Sequence, residues 1–252
     1  MTGGPAADWR SPQAYAELLI SDRRAFAWEW LRRNSRYRRQ WAARAFAPAR
    51  ILADIGLLGW IDPALATPAA RPIWSIDRDP RVLHGRPAAN DSPADDLFDV
   101  RDVAALVSVE IDASGNEHWL LSDGHWAVRL DLHDGTLLGG PVLVEHRITG
   151  LQSARPKLES LRQFVVLAEK GHLPGSMVPK ERKAAHWITE LRVGDALLAG
   201  ANQQAIAREL WGDAIAASRW RVESASYRLR VQRLVKTARR YLAEPLAGPW
   251  FD

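Results

Sequence analysis

Hydrophobic spacing, turn residues and charge together predict an α+β protein: a helical N-terminal module, a small antiparallel β-meander and a C-terminal helix-turn-helix bundle. Apolar residues recur every three to four positions near both ends of the 252-residue chain but alternate through its middle. Pro and Gly cluster where the period changes, in Asp62–Pro72 (DPALATPAARP) and again in Arg86–Ala94 (RPAANDSPA). Charge divides the same way, with a net +4 over residues 1–70, −7 over 71–150 and +7 over 151–252. The expected parts are therefore 1–62, 71–150 and 151–252.

In the first part, Ser11-Pro12 starts a helix on which Tyr15, Leu18 and Leu19 follow at helical spacing. Asp22 caps the next helix. Phe26, Trp30 and Tyr37 share one face of it beside Trp28, and Arg32, Arg33, Arg36, Arg38 and Arg39 lie elsewhere, free for DNA, RNA polymerase or solvent. In the middle part, Leu106–Ile111 alternates and ASGN (113–116) turns. Strands Glu117–Ser122 and His125–His133 flank the hairpin signal Asp123-Gly124, and Pro141–Ile148 follows a second turn at Asp134-Gly135. In the last part, Leu158, Leu161, Val165 and Ala168 keep helical spacing and a second helix spans about 181–198, ending before Gly200. Twelve tryptophans are expected mainly in the core, with Trp250-Phe251 folded back on the body or serving as a docking tail.

A composition of 47% apolar and 25% charged residues excludes wholesale disorder. With no cysteine there is no disulfide, thiolate metal site or cysteine nucleophile. Residues 1–10 carry no secretory signal, and Ile51–Ile61, interrupted by Asp54, is far short of the roughly 20 apolar residues of a spanning helix, so a cytoplasmic protein with no membrane partner is expected. No Gly-x-Ser-x-Gly, P-loop or dinucleotide fingerprint is present, and no catalytic residue or cofactor is expected. No metal site is expected either: His125 and His133, on one strand face, would stand about 26 Å apart at ~3.3 Å per residue. Asp95, Asp96, Asp99 and Asp102 read as a solvated loop.

The stretch Leu191–Leu242 carries the function. Asn202–Gly212 forms a short helix with Ile206 and Leu210 facing inward, Ala207 small enough for a close helix crossing, and Gly212 ending it, as the first helix of a helix-turn-helix requires. The next helix places Tyr227, Val231, Leu234, Ala238 and Tyr241 in one arc. Over 214–243 eight cations stand against Glu223 alone. Because the start of a second helix reads base edges while flanking groups hold phosphates, Arg219, Arg221, Ser224, Ser226 and Arg228 are the base-reading candidates. Gln203, Gln204, Arg230, Arg233 and Lys236 are the phosphate candidates, and double-stranded DNA is the expected partner. Glu223 either accepts from cytosine or pairs with Arg219.

Leu191–Gly212 (LRVGDALLAGANQQAIARELWG) and Tyr227–Leu242 resemble the C-terminal helix-turn-helix domain of regulators of proteobacterial integrative and conjugative elements. Ala27–Trp41 (AWEWLRRNSRYRRQW) is similar to the transcriptional-regulator-like domain of the same proteins, and together with Ile73–Leu83 (IWSIDRDPRVL) the resembling stretches spread over most of the chain. The fused order resembles the FseA-type activators. That resemblance implies an activator of element excision and conjugative transfer, bound by a small antiactivator protein that carries only the C-terminal type of domain. RNA polymerase and a second copy of the chain, as a homodimer, are further candidate partners. The rival expectation is an adaptor or antiactivator that binds a related regulator domain.

Overall fold

A computed structural model describes residues 7–48, 50–88, 93, 96–212 and 225–252. After a 3-10 segment, Pro12–Leu19, come helices α1 (Arg23–Leu31), α2 (Ser35–Ala42) and α3 (Arg50–Ile55) and strand β1 (Leu83–Pro87). A second 3-10 segment, Val100–Leu106, leads into β2 (Val107–Ile111), β3 (Glu117–Ser122), β4 (Ala127–Leu132) and β5 (Val144–His146). Helices α4 (Ala154–Lys170), α5 (Ala184–Leu198), α6 (Gln203–Trp211) and α7 (Ala225–Ala243) complete the chain. The class is α+β: helices, a sheet, then helices.

Local chemistry explains the starts. Asp22 accepts from the Arg24 amide (2.8 Å) at the head of α1, and Asn34 accepts from the Tyr37 amide (2.9 Å) at the head of α2. The sheet order is β2-β3-β4-β1-β5. Its β2-β3-β4 portion is the antiparallel meander read from alternation, with the hairpin at Asp123-Gly124. The rest departs from that reading. β1 inserts between β4 and β5, parallel to the first and antiparallel to the second, so the sheet is mixed and five-stranded. β1 is LHGRP, with one large apolar residue and no alternation, and its partners are distant in sequence, so no local pattern marks it. Its Gly85 is a close approach: a Cβ there would lie 2.8 Å from Val144 Cγ1.

One sheet face carries Leu83, Trp119, Val128, Leu130 and Leu132, covered by Phe164 and Leu167 of α4. The stripe expected on α4 is therefore rotated: Phe164 and Leu167 take the sheet, Leu161 and Ala168 are partly buried beside them, and Leu158 and Val165 are exposed. The second core joins both ends of the chain. Phe26, Trp28 and Trp30 of α1 share it with Trp187 and Leu191 of α5, Ile206 of α6, and Val231 and Ala238 of α7. Trp250 folds back into it, fully buried, with its indole N–H donating to Pro245 O (2.8 Å).

Candidate nucleic-acid interface

Helices α5 and α6 both pack on α7, and α6 sets the frame. Asn202 accepts from the Ala205 amide (2.9 Å), Ile206 and Ala207 are fully buried, and Gly212 closes the helix at φ 69°, where a side chain would be strained. Trp211 and Tyr227 then meet across the residues between, with ring centroids 5.4 Å apart, and Arg230 lies over the Trp211 ring at 5.6 Å.

Along α7 the deeply buried stripe is Val231, Val235, Ala238 and Tyr241, with Tyr227 and Leu234 partly buried beside it. At about 100° per residue this fixes the opposite side. Arg230, Arg233, Lys236, Arg239 and Arg240 are all exposed there or on its flanks. Among the described residues Arg230, Arg233 and Lys236 have no carboxylate partner. Arg240 lies over the Tyr241 ring (4.7 Å) and near Glu190. Burial pushes that carboxyl up, and His186 and Arg240 offset only part of the effect.

The predicted residues are distributed unevenly. Ser226 is exposed on the cationic side. Arg228 is half-buried, about 140° round the helix from Arg233, beside the buried stripe. Gln203 and Gln204 are half-buried in the first turn of α6. Arg219, Arg221 and Ser224 lie outside the described residues, as does Glu223. Leu229 was missed: it is 55% exposed amid the cations, and its position two residues before Val231 already put it off the apolar stripe.

The N-terminal arginines need a correction. Arg32 and Arg33 are buried, not available to DNA, polymerase or solvent. Arg33 binds Asp195 of α5 through two nitrogens (2.9 and 2.7 Å) and Glu29 (2.5 Å), while Arg32 binds Glu29 (2.8 Å). Tyr15 donates to the same Asp195 (2.7 Å), and burial beside that carboxylate pushes its hydroxyl pKa up. Arg36 and Arg39 are exposed and Arg38 half-buried. Arg24 makes a second buried junction, to Asp22 (2.5 Å), Asp79 (2.8 Å) and the carbonyl of Ala127 (2.6 Å). These pairs tie α1 to α5 and to the sheet, so the N-terminal module braces the helices that carry the cationic row.

Neither expected histidine is in β4. His125 pairs with Glu17 (2.8 Å), and His133 stacks on His84. Among the described residues no group of three metal-ligating side chains assembles, and no helix is long and apolar enough to cross a membrane.

No curated protein matches the chain. Two family models do: residues 149–244 match a T6SS transcription factor DNA-binding domain, and residues 8–56 match a proteobacterial transcriptional regulator-like domain. Both matches are to domains of transcription regulators, and the C-terminal match, to a DNA-binding domain, takes in α4 to α7.

Proposed function

We propose that this chain is a sequence-specific DNA-binding transcriptional regulator, an activator, that seats α7 in the major groove. The observation that carries the reading is the row Arg230, Arg233 and Lys236, exposed and without a carboxylate partner among the described residues on the outer side of a helix whose inner side is buried. Arg219, Arg221, Ser224 and Ser226 read base edges, since Arg bonds guanine O6 and N7 through two nitrogens and Ser reaches any base, and Arg228, half-buried beside the stripe, flanks them. Gln203, Gln204, Arg230, Arg233 and Lys236 hold phosphates. Leu229, exposed among them, has the chemistry to touch a thymine methyl.

The regulated genes are those for excision or conjugative transfer of a mobile element, with type VI secretion genes as the competing set, given the description of the C-terminal family. The protein works in the cytoplasm, on DNA half-sites about 34 Å apart when dimeric. RNA polymerase and a small antiactivator are its protein partners, and it performs no catalysis.

Footprinting on DNA upstream of both gene sets tests the reading. With roughly 6–10 phosphates held, affinity falls about 10³ to 10⁵-fold between 50 and 200 mM salt. Arg233→Ala and Lys236→Ala each lower the salt slope by about one and weaken all sequences alike. A binding isotherm indifferent to salt would overturn the assignment.

One observation favours the rival, an adaptor that binds a related regulator domain: Leu151, Leu158 and Val165 are exposed at seven-residue spacing at and before α4. Under that reading, DNA-free copurification with such a domain is abolished by Leu158→Glu and untouched by Lys236→Ala.

A further inference from the structure

A cavity of about 830 Å³ opens on the sheet where β1 lies between β4 and β5, near the first turns of α4. His84, Arg86, His133, Glu145, Arg147 and Lys157 line it. Arg86 and Glu145 neutralise each other across the strand pair (2.9 Å). Lys157 is different. Only 9% of the residue is exposed, its ammonium reaches the cavity, and among the described residues it has neither a hydrogen-bond nor an ion-pair partner. A cation on the wall of a cavity with no counter-charge beside it attracts an oxyanion, and a ligand oxyanion entering there would supply the partner it lacks. Arg147, exposed at the rim, also has no carboxylate partner among the described residues.

The two histidines form a relay whose direction follows from its far end. The Asn116 amide nitrogen donates to Asp112 (2.9 Å), which turns Asn116 Oδ1 toward His133 Nδ1 (3.2 Å), so Nδ1 carries the proton. His133 Nε2 therefore accepts from His84 Nδ1 (3.3 Å), and His84 Nε2 holds a lone pair until the ring is protonated. Burial and the Lys157 charge hold that ring below its ordinary range, while Asp131 acts the other way and His133 and Arg147 add to the depression. A bound anion reverses the balance and recruits a proton.

We propose that this cavity is an effector site for a small oxyanion-bearing ligand, with Lys157 as its main charge contact and Arg147 and His84 beside it. The proposal stands apart from the DNA reading, because none of these residues belongs to α7. Inorganic phosphate, pyrophosphate and citrate are the probes, titrated into the full chain at fixed ionic strength and read by the imidazole NMR signals of His84 and His133. Saturable binding of at least one probe is expected, weakened at least tenfold by Lys157→Met, severalfold by Arg147→Ala, and tighter at pH 6 than at pH 8. The double variant Arg233→Ala, Lys236→Ala is expected to leave it unchanged. No saturable response to any probe, equal affinity in Lys157→Met, or a response that follows the α7 variant instead would each overturn the proposal. Should Lys157→Met fail to fold, the exposed Arg147→Ala decides.

Discussion

Arg33 is where the two ends of the chain meet. It joins Glu29, four residues back, to Asp195, in a helix built from the last third of the sequence. Breaking a buried ion pair by removing one member costs about 3–5 kcal/mol, because the partner's charge stays buried with less compensation. Arg33→Met is therefore expected to lose that much in urea unfolding, and a loss within about 1 kcal/mol would show the pair to be idle. Burial disfavours the Glu29 charge, but Arg33 and Arg32 more than compensate and its pKa is lowered. Its contribution is present above the ordinary value of 4.5 and is lost as pH falls through the folded value. His118 has the opposite sign. A hydrogen bond to Asp131 (2.9 Å) raises its pKa, so the stabilisation is complete below 6.5 and fades as pH rises through the folded value. Wild type should lose stability relative to His118→Gln between pH 6.5 and 8 in parallel melts. The sequence displayed the charge of Arg32 and Arg33 but not their fate, because Asp195 stands 162 residues from Arg33 and looks like any other helical acid.

On α7 the sequence spoke more clearly. A 19-residue helix repeats its apolar positions often enough for the buried arc to be found by angle alone, and only Val235 was overlooked. The two sides should separate in experiment. Val231→Ala, in the core, is expected to cost about 2 kcal/mol by the cavity it leaves. Leu229→Ala should change stability by less than about 0.5 kcal/mol while weakening DNA binding. α4 was harder to read because it is apolar on two sides, and only the sheet decides which side is covered. β1 was illegible, being five residues without alternation whose partners arrive later in the chain. α5 holds a different kind of information in Gly194, where a Cβ would come within 2.8 Å of the Trp30 ring. Gly194→Val should destabilise by about 1–3 kcal/mol through overpacking, measurable as a lower melting temperature.

The shared core alters what counts as a fair dissection. Residues 8–56 and 149–244 match separate family models, yet α1 buries Phe26 and Trp30 against α5, α7 and Trp250. A fragment of residues 149–252 should accordingly lack cooperative thermal unfolding by circular dichroism, and a sharp transition would show that the two ends are separable. Loss of a footprint after truncation would then report collapse of the core, so point changes on the outer side of α7 are the better probe. The same arrangement shapes the birth of the protein. During synthesis α1 emerges roughly 150 residues before the helices that cover it, which at about 5–20 residues per second leaves its tryptophans bare for on the order of 10–30 s. A nascent chain in that condition is a natural client for ribosome-associated chaperones, and slowing translation between the sheet and α5 should lower the soluble yield.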